Sequence, residues 1–299
     1  MRRLWVGLAL LAVALVTSAV RREAPWEPAR IGEHWALEGD VHVHTSWAGA
    51  LATPIDLPLL ARRRQLDFIA VTEHNAWFGG AMTRDFGHAL APEVIVLPSE
   101  EITNRAYHLL AIGLERRVDP QQSITRIAED VHAQGGITIA AHPTRGTWPL
   151  LLELASAHGL DGSEVFHPNT LRRREAAEEY AAFLAEASAR SGRPLIAAGS
   201  SDFHGGARLG VARTVVLAKE RSAAGVLEAL RAGRAVAVTA DGRRAGDPAT
   251  LAALASAGYV TRALTAPEVG PTSLVERALA WLAFLVMLAA LLRPRSARR

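Results

Sequence analysis

The chain has 299 residues, 49% hydrophobic and 21% charged, which suits a globular fold of one large domain with additions and excludes a disordered chain. It contains no cysteine, so disulfides, zinc–thiolate sites, iron–sulfur clusters and thiol nucleophiles are excluded, and any metal must rest on histidine and carboxylate. Its 33 Lys+Arg against 30 Asp+Glu are unevenly placed: residues 1–23 carry a net +3 and 274–299 a net +4, leaving 24–273 at −4.

In chain order, the first feature is an apolar run from Leu4 to Val20 behind Arg2 and Arg3, about 26 Å long as a helix at ~1.5 Å per residue. A signal peptide and an uncleaved anchor over 1–23 both fit, and both export the chain beyond residue 23. Strands are expected at 39–44, 68–72, 94–97, 108–112, 137–141, 162–166, 195–200 and 214–217. Helices are expected at 54–65, 124–134, 148–158, 171–191 and 223–232. This alternation over 36–240 predicts an α/β fold with a largely parallel sheet, closed into a (β/α)-type barrel. Residues 241–273, rich in turn dipeptides, read as a linker holding a short Ala-rich helix. An apolar run from Ala278 to Leu292, extendable from Leu274, then reads as a transmembrane helix. The basic tail 293–299 places its far side in the cytoplasm and the middle of the chain outside.

Chemistry-bearing residues collect where the expected strands end. DVHVHT places Asp40, His42 and His44 two apart, on one face of an ideal strand. VTEHN brings Glu73 and His74, PSEEIT brings Glu100 and Glu101, and His108 opens YHLLAIG. AAHP brings His142, and GSSDFHG brings Asp202 and His204. A single such residue is ordinarily a solvated histidine, a helix cap or a dipole-favoured acid. Here six of the 11 histidines recur at one end of successive strands with three carboxylates, and that concurrence points to metal. His34, His88, His132, His158 and His167 stand apart and are read as ordinary.

Taken in this order and spacing, these motifs resemble the PHP (polymerase and histidinol phosphatase) family of metal-dependent phosphoesterases over about residues 36–240. The resemblance implies a distorted (β/α)₇ TIM-like barrel with two or three divalent ions. His42, His44, Glu101 and Asp202 would hold one ion; Glu101, His108 and His142 would hold a second, with Glu101 bridging; His74 and His204 would contribute to a third. Gly49, in SWAGALATP, stands where the family usually has a His or Asp, so the third site has fewer protein ligands while a two-metal core survives.

Imidazole and carboxylate without thiolate suit Zn²⁺, Mn²⁺ or Fe²⁺. Two such ions supply a bridging hydroxide and clamp a phosphate mono- or diester, so no serine or cysteine nucleophile is needed. Asp40 is expected to orient a ligand imidazole, and Arg145, or Arg105, to meet the phosphate. The expected function is a membrane-anchored, extracytoplasmic phosphoesterase acting on a small or polymeric phosphate ester. A lysine-bridged amidohydrolase is disfavoured because Lys219, the sole lysine, lies C-terminal to the metal motifs, whereas a carboxylate-bridged one remains an alternative. A non-catalytic metal- or ligand-binding membrane module is the other. The mildly acidic middle, without a basic aromatic stripe, predicts no specific nucleic-acid partner.

Overall fold

The computed structural model describes residues 26–50, 52–204 and 207–262, with Ala9, Ala278, Trp281, Leu282, Leu285 and Val286 as isolated positions. The two apolar runs and the basic tail therefore lie outside the described residues apart from those positions. Among the described residues no helix is long and apolar enough to cross a membrane.

Strands β1 (Ala29–Ile31), β2 (His34–Val43), β3 (Phe68–His74), β4 (Ile95–Thr103), β5 (His108–Ile112), β6 (Ile137–Ala140), β7 (Gly162–Phe166), β8 (Ile196–Gly199), β9 (Ala212–Ala218), β10 (Ala235–Thr239) and β11 (Arg244–Gly246) form one sheet. Its order is β11-β10-β9-β2-β3-β4-β5-β6-β7-β8, with β1 paired to β2. The ends curl toward each other. Thr214 of β9 accepts the Gly199 N–H at the end of β8 (3.0 Å) and donates to its carbonyl (2.9 Å), leaving a nearly closed, barrel-like mixed sheet.

The sheet is less parallel than the sequence predicts. Parallel pairing is confined to β2-β3-β4 and β6-β7-β8, while β5 and β9 run against their neighbours. Only residues 104–107 separate β4 from β5, and a connection that short cannot carry the crossover of a dozen residues a parallel pair needs. The reversal has a consequence for the site. Thr103 pairs with His108, so the first residue of β5 lies beside the last residues of β4.

Helices α1 (Leu57–Arg63), α2 (Phe78–Leu90), α3 (Ile124–Ala133), α4 (Trp148–Ser156), α5 (Pro168–Arg172), α6 (Arg174–Ser191), α7 (Ala223–Arg231) and α8 (Pro248–Ser256) cover the sheet. Side-chain oxygens of Ser123, Ser222 and Asp247 cap α3, α7 and α8 by accepting backbone N–H groups. The expected helix over 171–191 is divided at Arg173, whose extended φ of −132° separates α5 from α6. Leu57, Leu60, Ile69, Val71 and Val96 form a core under α1. Ile127, Val131, Leu151, Leu154 and Phe183 join α3, α4 and α6.

Residues 241–262, read from sequence as the start of a linker, are built into the fold. β11 extends the sheet antiparallel to β10, and α8 packs Leu254 against Val215, Val236 and Val238. Beyond it the Tyr259 hydroxyl and the Arg262 N–H each donate to Glu38 (2.7 Å).

Candidate metal centre

The first departure from an ideal strand lies inside DVHVHT. Asp40 pairs with Ile69 and Val43 with Val71, so two residues, Val41 and His42, stand opposite Ala70 alone. This bulge reverses the alternation: His42 and His44 point to the other face from Asp40. The expectation that Asp40 orients a ligand imidazole is corrected accordingly. Its carboxylate accepts the N–H groups of Ser201 (3.0 Å), Gly210 (2.9 Å) and His42 (3.3 Å), which ties β2 to the segment carrying Asp202 and His204. Burial pushes its pKa up to about 6, against those hydrogen bonds.

The imidazole partner is Glu164, on β7 and fully buried. Its Oε1 lies 2.8 Å from His42 Nδ1 and accepts from the Ser200 hydroxyl (2.5 Å), while Oε2 accepts the His142 N–H (2.5 Å). With Nδ1 held against Glu164, His42 turns Nε2 inward. There His42 Nε2 lies 3.1 Å from His44 Nε2, 3.3 Å from Glu101 Oε2 and 3.3 Å from Asp202 Oδ1. His44 Nε2 lies 3.4 and 3.2 Å from the same two oxygens. These separations of 3.1–3.4 Å set both imidazole nitrogens against both carboxylate oxygens, a mixed nitrogen–oxygen donor set of the kind that holds a divalent ion.

Glu101 faces two groups at once. Its Oε1 lies 2.7 Å from His108 Nδ1 and 3.2 Å from His142 Nε2. Its Oε2 meets His42 and His44, as above, and His74 Nδ1 at 2.9 Å. That Oε2 is buried and has no hydrogen bond of good geometry, so it is an acceptor that an ion or an ordered water would complete. Burial would raise the Glu101 carboxyl, but His42, His108 and His142 hold it well below the usual carboxylate range. Asp202 is held equally low against burial by His42 and by hydrogen bonds from His167, His204 and His44. Burial also opposes the charge on His42, yet Asp202, Glu164 and Glu101 raise its pKa well above the ordinary value. Burial drives neighbouring His44 down to about 4. The donor set thus fits divalent ions at two places sharing Glu101, and groups of ligand atoms from His42, His44 and Glu101 and from Glu101, His108 and His142 converge.

His204 joins His44 and Asp202 in a further convergent group, its Nδ1 2.9 Å from Asp202 Oδ1. His74 instead shares Nδ1 between Glu101 and Thr103 Oγ1 (2.9 Å). Gly49, at φ +83° with open space where a Cβ would stand, closes the short 3₁₀ turn after His44, a conformation that favours glycine. Glu73 accepts from the N–H of Thr45 (2.8 Å) and from its hydroxyl, so it fixes the loop after His44. His142 (φ +30°) and Asp202 (φ +45°) both occupy left-handed backbone, a strain of about 1–3 kcal/mol each that the surrounding hydrogen bonds must hold.

Arg145 is engaged elsewhere. Its guanidinium lies 3.9 Å over the Trp148 ring, and its backbone N–H donates to Glu179 (2.5 Å). Arg105 is an exposed residue of the β4–β5 turn. The sequence reading missed Glu164 and His167. His167 caps α5 by accepting the Asn169 N–H at Nδ1 (3.1 Å), and its Nε2 lies 3.2 Å from Asp202 Oδ2. Its signal was present: FHP repeats the strand-end His-Pro of AAHP.

No family model matches the chain. An uncharacterized protein of Methanocaldococcus jannaschii is 25% identical over 142 residues, 44% of this chain and 82% of that protein. Among solved structures, a two-domain protein of Bacteroides vulgatus described as containing a predicted PHP-like metal-dependent phosphoesterase aligns with a TM-score of 0.63. It is 21% identical, over 79% of this chain and 74% of that one. PsfC of Pseudomonas syringae aligns with a TM-score of 0.44 at 14% identity, over 75% of this chain and 96% of that one. The chain therefore has the fold of the Bacteroides protein, and the residues on that fold fit a divalent-metal centre.

Proposed function

We propose that the protein is a membrane-anchored, extracytoplasmic phosphoesterase that hydrolyses a phosphate mono- or diester at a two-ion centre. The observation that carries this reading is Glu101, which presents one oxygen to His42 and His44 and the other to His108 and His142. Divalent ions held there would polarise a phosphoryl oxygen and activate water. The chain's own residues do the rest. Glu164 keeps the His42 proton on Nδ1 and pins the backbone at His142. Asp40 secures the segment bearing Asp202. His74 and His204, with side chains 42% and 47% exposed, stand at the open rim, where they can meet a substrate or exchange protons. Lys219 is exposed beyond β9, and Glu101 occupies the bridging position that a modified lysine fills in other metallohydrolases.

The apolar runs 4–20 and 278–292, each bordered by arginine, support anchoring, and the arginines after the second support export of the barrel. The full chain, purified and assayed against a panel of mono- and diesters alongside elemental analysis, is expected to carry two divalent ions and release phosphate or alcohol. A metal-free, inactive protein that neither binds nor responds to Zn²⁺, Mn²⁺ or Fe²⁺ overturns the reading.

A further inference from the structure

We infer that the end of the barrel opposite the metal ligands lies on the bilayer, so that the centre opens away from the membrane onto soluble or polymeric phosphate esters and not onto lipid phosphates of its own leaflet. The inference rests on the reading of the two apolar runs as membrane segments. Trp26, where the described core begins, donates its indole N–H to Asp67 (2.8 Å), and Arg262, where it ends, pairs with the same carboxylate. The two chain ends thus leave the barrel side by side.

That point is remote from the ligands. Asp67 precedes β3 and His74 ends it, seven residues later, about 23 Å at ~3.3 Å per residue. On β2, Trp35 stands nine residues before His44, about 30 Å. Six steps of chain join Val20 to Trp26, and at ~3.3–3.6 Å per residue they span at most about 22 Å. A membrane segment ending near Val20 therefore keeps Trp26 close to the lipid surface and cannot reach round to the ligand end. The surface around the exit suits headgroups. Arg30 stacks on Trp35 at 4.5 Å, Arg221 lies over the same ring at 5.5 Å, and Val260 is 67% exposed beside Arg30 and Arg262. Tryptophan and arginine with exposed apolar surface are the residue types that settle at a membrane interface.

Because the chain has no native cysteine, single-cysteine variants of the full chain test the orientation directly. Val260→Cys and Phe78→Cys, the latter 42% exposed just beyond His74, would each carry a fluorophore in phosphatidylcholine–phosphatidylglycerol vesicles containing a nitroxide-labelled lipid. Strong quenching at 260 with little at 78 is expected. Equal quenching, or stronger quenching at 78, overturns the orientation. Protein that fails to float with the vesicles overturns the membrane reading and the orientation with it, whereas turnover of a soluble diester by the same preparation is scored separately and bears on the phosphoesterase reading alone.

Discussion

Glu164 lies 2.8 Å from Nδ1 of His42 across the barrel, although the two residues are 122 positions apart in sequence. The carboxylate is fully buried and, against burial, the neighbouring His42 and His167 hold its pKa down to about 2. It therefore stays charged at neutral pH. Glu164→Gln keeps the shape but exchanges an acceptor-only group for one whose amide must face His42, Ser200 or the His142 N–H with the wrong polarity. Residues that orient a ligand imidazole typically contribute 10–100-fold to metal affinity or activity. A loss of about that size is expected in a chelator-competition titration.

Glu101 links the two ligand groups, so its removal should act on both. Glu101→Gln is expected to abolish tight binding of two ions together, whereas His108→Ala should spare the group at His42, His44 and Glu101. Metal content by elemental analysis after dialysis separates the outcomes. Equal residual metal in both variants would show that Glu101 does not bridge.

Metal removal should also loosen the fold. Asp202, Glu101 and Glu164 crowd against His42 with little solvent, and an ion bound only to the folded state stabilises it by ~2.7 kcal/mol at a hundredfold excess over Kd. The chelated full chain should melt lower than the same chain given Zn²⁺ or Mn²⁺ in a calorimetric scan. A melting temperature indifferent to both ions would contradict the assignment.

Much of this arrangement was legible in the sequence because strand-end histidines are local signals. His42, His44, His142, Asp202 and His204 stand at expected strand ends, and each of the eight expected strands overlaps an observed one. What escaped depended on pairing partners that spacing does not reveal. The bulge at Val41 and His42 arises from how β2 meets β3, and it alone separates Asp40 from the imidazoles. Glu164 lies within a strand and faces the site only because the sheet curls. Helix α2 escaped because Gly79, Gly80 and Gly87 each disfavour a helix by about 1 kcal/mol. The structure needs at least one of them: a Cβ at Gly80 would stand 2.9 Å from Pro98 Cα on β4. The close of the domain escaped because Tyr259 and Arg262 are anchored by Glu38, more than two hundred residues upstream.

His167 offers a test of tautomer. Its Nδ1 accepts the Asn169 N–H, so in the neutral ring the proton sits on Nε2 and is donated to Asp202 Oδ2, leaving Oδ1 for His42 and His44. A ring in that state positions the ligand and does not bind metal itself. Asparagine is a good N-cap but too short to reach Asp202. His167→Asn should therefore keep stability within about 1 kcal/mol while weakening metal binding roughly tenfold. Unchanged affinity would assign His167 to helix capping alone.

The last relationship concerns the buried pair at the other side of β2. Arg213, fully buried, donates to Glu38 (2.8 Å) and to the carbonyl of Arg64 (2.7 Å), while Tyr259 and the Arg262 N–H reach the other Glu38 oxygen. Breaking such a pair from one side leaves a charge without compensation, so Arg213→Met should cost about 3–5 kcal/mol. Burial opposes ionisation of Glu38, but Arg213 and Arg262 outweigh it and hold its pKa below the ordinary 4.5. A depressed carboxylate stabilises the fold fully above its unfolded pKa and loses that contribution as pH falls through the folded one. Wild type should therefore exceed Glu38→Gln in urea midpoint at pH 7, and the gap should narrow below about pH 4.5. Because Asp67 beside it is shifted upward by burial despite Arg262, its protonation in acid works in the opposite direction. The Glu38 effect must accordingly be read as the difference between the two proteins at each pH, and a gap that widens on acidification would reverse the sign assigned to the pair.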